Sequence, residues 1–412
     1  MFVAQQAARS RVVRATFVVA CLIPCAWLAC CAIWRRTSAH RDGVLLEWGA
    51  VIGMRLSAES IDHIRPGVLR LRGLIVHDDH GGAVVQLPLL EVEAAGSELR
   101  VRLPGVSCPP AAAAVIASLG RRWLDEPARF GGNVVIDVAR LDVGTQPSEG
   151  IAGRGGVRVE CVGTEGGRAI RLRAEPETDE GIVVQSLAGD VVDTRRIAVR
   201  GAVTTPLPVA VVAAILDWPA LAQAVGAEAA LAGSIDAHVG ANGWQGAFGG
   251  VLEGIDLAAL TTPLPWRVTG NARLSIDECR MVAGRVASVR ARLMTGAGSL
   301  EQEGLEHLVS SLGCRPGPGL RQMPRGSDID FVRSDMAVAI DDRGLRITGV
   351  EGSGIVMSSG GVLLEPPVAG VSLDRVARAL SPATPLAVPA TPISGWFLSR
   401  FPFPQGPAET RR

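Results

Sequence analysis

Lysine is absent: every basic side chain other than histidine is arginine, and 41 of these face 41 acidic side chains, for a formal net charge of zero. Without lysine there is no Schiff-base amine, no P-loop lysine and no kinase-type lysine, so several large enzyme classes are excluded. With no charge imbalance and no local basic patch, there is nothing to attract a phosphate backbone, and no nucleic-acid partner is expected. Aromatic residues make up only 4% of the chain, and Trp48, Trp123, Trp218, Trp244 and Trp266 are spread along it. Such spacing suits core pieces better than a stacking platform. The sequence contains no G-x-S-x-G elbow, no H-E-x-x-H, no Walker motif and no G-x-G-x-x-G, so the usual nucleophile, zinc and nucleotide signatures are missing. Of the six histidines only His77-Asp78-Asp79-His80 clusters, and Gly81-Gly82 beside it marks a solvated hairpin tip rather than a metal site. The chain is therefore read as a non-enzyme with no cofactor, no metal and no catalytic residues.

Ala15 to Trp34 is a strongly apolar uncharged run, 20 residues that as a helix would extend about 30 Å and match a bilayer core. It is the expected contact with a membrane, as a single-pass anchor after a cytoplasmic leader, 1–14. A cleaved signal peptide is the competing reading, but the run exceeds a usual signal core and no A-x-A site follows. Arg9, Arg11 and Arg14 before the span are matched by Arg35, Arg36 and Arg41 after it, so charge alone leaves orientation open. A short leader beside a large following domain favours export, with the anchor in the inner (cytoplasmic) membrane and the ectodomain in the periplasm. Four cysteines, Cys21, Cys25, Cys30 and Cys31, lie within the span. The other four, Cys108, Cys161, Cys279 and Cys314, are too widely spaced for a C-x-x-C metal module and leave three disulfide pairings open.

From 35 to 380 the dominant pattern has a period of two, the mark of strands with one buried face. It is clear in Glu98 to Leu103 and recurs in Val157 to Cys161, Ile170 to Ala174, Ile235 to Val239, Val268 to Ile276 and Val289 to Leu293. Turn signals separate the runs: Asp79-His80-Gly81-Gly82, Glu165-Gly166-Gly167, Ala241-Asn242-Gly243 and Asp341-Asp342-Arg343-Gly344. Hairpins and antiparallel meanders are the natural outcome, because a parallel sheet would demand a helical crossover after nearly every strand. Three helices are expected, at Ala111 to Leu124, at Val209 to Val225 with a break at Pro219, and at Glu301 to Leu312. The tail, 381–412, carries seven prolines in 32 residues and reads as extended, with Trp396, Phe397, Phe401 and Phe403 either tucked on the last sheet or offered to a partner.

Within this pattern one stretch is distinctive. Arg65-Pro66-Gly67, Leu69, Leu71, Gly73, Asp78 and Leu90-Glu91-Val92 follow a Trp-containing approach, Glu47 to Ile61, and Leu231 to Leu260 adds a glycine-rich pair of runs around Gly243-Trp244-Gln245-Gly246. The pattern resembles the amino-terminal region and hairpins of AsmA-like envelope proteins. The resemblance implies a mainly β fold, in which an N-terminal transmembrane helix precedes an extended, curled antiparallel sheet forming an open groove, with a few short helices. It also implies a role in cell-envelope maintenance, with lipid carried along the apolar concave face. Sixteen to eighteen strands at about 4.8 Å each would reach only roughly 80 Å, so bridging a periplasm would take an envelope protein partner or an oligomer.

Two architectures share this periodicity. In one the apolar face stays open to acyl chains; in the other two sheets close on each other and the protein is a structural or adaptor β-sandwich module with no ligand. In either, Leu99, Val101, Leu103, Ile170, Leu172, Ile235, Val239, Leu274 and Ile276 are the candidates for the apolar face, lipid-facing in the first architecture and plain core in the second.

Overall fold

The computed structural model describes residues 13–77, 81–96, 98–126, 132–143, 156–164, 167–174, 181–187, 196–216, 218–240, 243–262, 264, 266–322, 328–349, 356–373 and 375–376. Most of the leader, the tip Asp78-Asp79-His80, the pairs Glu165-Gly166 and Ala241-Asn242 and the whole proline-rich tail lie outside them. The protein is mainly β with few helices, and its sheet is not closed. Contacts divide it into two units, one made of Met1–Ser107 and Ala128–Arg140, the other of Cys108–Pro127 and Leu141–Arg412.

The first unit begins with α1, Val13–Trp34, 22 residues long and apolar enough to cross a membrane. None of the other described residues buries it: Trp27 is 70% exposed and Leu28 66%. A soluble helix would hide such a surface. Over Val18–Leu22 the hydrogen bonding widens to a π turn, with the Ile23 N–H reaching Val18 O. Pro24, one residue on, has no N–H to give the preceding turn and its ring crowds that turn, which the wider bonding relieves. A second helix, α2, Ser38–Ile52, follows at once and was not foreseen. Its interior holds Gly43 and Gly49, which weaken the helical signal, but its ends are marked. Thr37 caps the start by accepting from the His40 N–H, and Gly53 stops it at φ 76°. Gly49 is needed because a Cβ there would sit 2.6 Å from Met54 O, where the chain doubles back.

Seven strands follow: β1 (Arg55–Ser57), β2 (Ser60–Arg65), β3 (Val68–His77), β4 (Ala83–Ala95), β5 (Glu98–Leu103), β6 (Val106–Cys108) and β7 (Asn133–Val138). Antiparallel pairing joins β1 and β2 to β3, β3 to β4, and β4 to β5. One pair departs from the antiparallel expectation: β5 and β7 run parallel. Their connection carries a 16-residue helix, α3 (Pro110–Asp125), which supplies the long crossover that parallel strands require. Register puts Ile61, Leu71, Leu90, Val92, Leu103 and Val138 on one face, and all six are buried. Arg70 and Glu91 pair on the other face at 2.6 Å.

In the second unit, after β8 (Leu141–Val143), comes a long meander: β9 (Val157–Thr164), β10 (Gly167–Ala174), β11 (Gly181–Leu187), β12 (Arg196–Pro208), β13 (Ala230–Gly240), β14 (Gly243–Asp256), β15 (Asn271–Val282) and β16 (Arg285–Thr295). Each pairs antiparallel with the next. The expected break at Pro219 is present, as α4 (Val209–Ile215) followed by α5 (Pro219–Val225). A short α6 (Leu257–Thr261) is capped by Asp256, whose carboxylate accepts from the Ala258 N–H. Val268 lies ahead of β15 rather than in it: Gly270 at φ 115° turns the chain, and the strand starts at Asn271.

The C-terminal part adds β17 (Gly298–Leu300), α7 (Gln302–Ser310), β18 (Arg315–Pro316), β19 (Ile329–Phe331), β20 (Arg333–Asp341), β21 (Gly344–Gly349), β22 (Met357–Ser358) and β23 (Val362–Glu365). Here β20 pairs with β16 and β21 pairs with β20, so the meander continues.

Candidate functional site

Cross-strand register in the second unit aligns apolar side chains into one continuous face. Starting from β9, Cys161 stands opposite Ile170, Ile170 opposite Val184, and Val184 opposite Val199. The row continues through Ala237 beside Ile235 on β13, Phe248 opposite Ile235, Cys279 opposite Phe248 and Val289 opposite Cys279. It ends with Ile340 opposite Val289 and Leu345 opposite Ile340. Ten strands share it, and at about 4.8 Å per step their nine intervals span about 43 Å. The other face is polar. Arg200 and Asp236 pair across β12 and β13 at 3.0 Å, Arg273 and Glu253 across β14 and β15 at 3.3 Å, and Arg290 bonds Glu278. Exposed pairs of this kind add little stability, about 0–1 kcal/mol each, but they mark the watered side.

The apolar face is covered at its two ends. Toward one end of the strands, Val209, Val225, Ala229, Ile255, Leu257 and Ala272 form a buried cluster against which Leu231, Leu252, Leu274 and Leu293 pack. Toward β20 and β21, a second cluster around Leu300, Phe331, Leu363 and Leu364 takes in Val289, Val338 and Ile340. Over β10, α3 lies close enough that a Cβ on Gly120 would be 3.3 Å from Ile170 Cδ1. Between these covers Val199, Ile235, Val239, Trp244 and Phe248 are half-buried and belong to neither cluster.

A belt of β-bulges bends the sheet at this central strip. Register slips between Val203 and Leu207 on β12, between Phe248 and Gly250 on β14, and between Ile276 and Glu278 on β15. Each bulge adds local bend and twist. At the bend there is a shallow, open depression of about 430 Å³, lined by Ala202, Ser234, Gly249, Gly250, Ile276 and Asp277 among others.

Six of the nine sequence candidates lie in this second unit. Register sets Ile170, Leu172, Ile235, Val239, Leu274 and Ile276 on its one apolar face. Leu172 is 39% exposed, and Leu274 is engaged by the cluster around Val209. Leu99, Val101 and Leu103 belong to the other unit, where Leu99 is 39% exposed but Leu103, at 8%, is closed into the core. Trp123 is buried and Trp266 packs beside the Leu300 cluster, as core pieces should, whereas Trp218 is 39% exposed and Trp244 sits on the half-open strip. Phe248 of the strip escaped the sequence reading because Gly246, Gly249 and Gly250 around it mask the alternation.

The cysteines are free thiols, with no disulfide among the described residues. Burial pushes Cys161 and Cys314 up to about 11, the former partly offset by Arg168. Thiols so protonated are poor nucleophiles and poor metal ligands.

Beyond the sheets, one polar cluster stands out, at the foot of α1. Nε2 of His40 on α2 and Nε2 of His63 on β2 are 3.1 Å apart, and the His40 ring packs at 4.5 Å from that of Trp34. Burial, then Arg35 and His40, hold His63 below its ordinary value, with Asp62 pulling the other way. Among the described residues no three His, Cys, Asp or Glu side chains come together to hold a metal ion. On β1, Ser57 Oγ is 2.8 Å from His77 Nε2, a hydrogen bond across the edge of the first sheet. Compared with known proteins, the chain matches no family model, no curated protein and no solved structure.

Proposed function

We propose that this is a membrane-anchored, non-catalytic cell-envelope protein that holds lipid acyl chains against the apolar face of its large sheet. The observation that carries the reading is the half-exposed central strip of that face, Val199, Ile235, Val239, Trp244 and Phe248, continuous with apolar neighbours across ten strands. An ordinary core would have a layer over it, and an apolar strip outside both buried clusters of the described residues calls for an apolar occupant. The exposed 22-residue helix supplies the tie to a membrane from which such an occupant would come. The AsmA-like pattern fits the same reading: its first stretch falls on β2 to β4 and its second on β13 and β14, the strands that frame the strip. On that reading the anchor sits in the inner membrane and the β-rich body on its periplasmic side.

A second reading, a structural or adaptor module without ligand, has its own support in the two buried clusters that already cover the ends of the face. Solvent extraction of the purified full-length protein followed by mass spectrometry separates them. Phospholipid recovered in a fixed ratio to protein, and exchangeable for a fluorescent fatty acid, is the expected result. Protein free of lipid and indifferent to the fatty acid overturns the lipid reading in favour of the module.

A further inference from the structure

We propose that His40 and His63 form a proton-sensitive latch fastening the helix after the membrane anchor to the first sheet. Their Nε2 atoms meet at 3.1 Å with ring centroids 5.3 Å apart, so the rings face nearly end to end. One ring must donate and the other accept, which a pair carrying at most one positive charge can do. A second proton leaves two donors and two cations at contact distance, and the bond is lost. With only two nitrogens and no third ligand among the described residues, the pair is better suited to a proton than to a metal ion.

The surroundings offer a second proton little compensation. Just past the end of α1, Arg35 adds a positive charge beside His63. On α2, Arg41 is positive as well, and its neighbour Asp42 is already engaged by it at 3.0 Å. On β2, Asp62 is the one acid acting on His63, and it also lies 3.7 Å from Arg72 of β3. Facing His63 across the strand pair is Leu69, which is apolar. Burial first, then Arg35 and His40, depress the basicity of His63, in agreement with this arrangement. The Arg41 guanidinium also bonds Glu59 O, at 3.0 Å, between α2 and the turn ahead of β2. The Trp34 ring, tilted 50° against that of His40 at 4.5 Å, links His40 to the end of α1, so acid loosens the joint between anchor and sheet.

Side-chain NMR of the full-length protein in lipid nanodiscs, with labelled histidine, tests the latch. The expected result is a coupled titration in which His40 and His63 take up their two protons about one pH unit or more apart, the second below the ordinary histidine range. In His40→Gln the remaining His63 returns toward that range. Amide exchange across Ser38–Ile52, corrected for its intrinsic pH dependence, rises between pH 7 and pH 5 in the native protein and is already raised at pH 7 in His63→Gln. Independent titration of both rings in the ordinary range, or exchange in that helix unchanged across the interval, overturns the proposal.

Discussion

Gly250 on β14 stands directly opposite Gly233 on β13, and neither position has room for a side chain: a Cβ on Gly250 would run into Ala232 O, and one on Gly233 into Gly249 O. The close approach lies at the bulge belt where the sheet bends, so the bend and the missing side chains are one feature. Gly250→Ala is expected to cost about 1–3 kcal/mol, the usual penalty of overpacking against backbone that cannot retreat. Gly43→Ala is the contrasting change. Gly43 is mid-helix in α2 with nothing within 4 Å of a built Cβ, so alanine there stabilises by about 0.5–1 kcal/mol. Urea unfolding followed by tryptophan fluorescence reads both, the first midpoint falling and the second rising.

Removing Val13–Trp34 is expected to release the protein from membranes. Its apolar side chains are exposed to whatever surrounds them and none of the other described residues shields them, so a bilayer is their natural solvent. Cell fractionation should find the full-length chain in the membrane fraction, resistant to alkaline carbonate and extracted by detergent, and the shortened chain in the soluble fraction. A full-length chain washed off by carbonate would show that the helix does not cross.

Strand identity and the polar and apolar faces were legible in the sequence, because alternation survives wherever register is regular: Leu172, Ile170, Ile235 and Val239 fall on the face their spacing requires. Helices opened by proline were legible too, at Pro110 and Pro219. Three things were not. The bulges at Asp277 of β15 and at Glu253-Gly254 of β14 insert one residue into a period of two, and no local signal says where the extra residue will fall. Glycines also hid α2, whose capping by Thr37 and Gly53 was its readable trace. Finally, periodicity says that a face is apolar but not what covers it. That Val209 and Leu257 close one end, while Phe248 stays half-open, depends on contacts far apart in the chain.

The thiols carry a pH dependence with a definite sign. For Cys161 and Cys314 the folded value is about 11 against an ordinary 9.0, so the folded state holds its protons more tightly than the unfolded chain. Their contribution to stability is present below about pH 9 and is lost as pH rises through 11. The same two-unit gap makes each thiolate about a hundredfold scarcer at pH 8 than in the unfolded chain. Labelling with iodoacetamide at pH 8, mapped by mass spectrometry, should therefore modify these two cysteines about a hundredfold more slowly in native protein than in urea. Equal rates would mean that both thiols are solvated.

Changing the face of one strand at a time separates an acyl-chain seat from a core. Ile235 and Phe248 are half-buried on the apolar strip, opposite one another, while Ala247, next to Phe248 in sequence, points to the watered side opposite Asp236. Ile235→Arg and Phe248→Arg put a charge where an acyl chain would lie, yet each guanidinium still reaches solvent, so the fold should survive with a modest loss of stability. Fluorescent fatty-acid binding is expected to weaken about tenfold or more in either variant, as follows from losing roughly 1.5 kcal/mol of apolar contact. Ala247→Arg should leave it unchanged. If binding survives in all three, the occupant lies elsewhere; if Ile235→Arg and Phe248→Arg unfold the protein, the strip is interior after all and the adaptor reading gains.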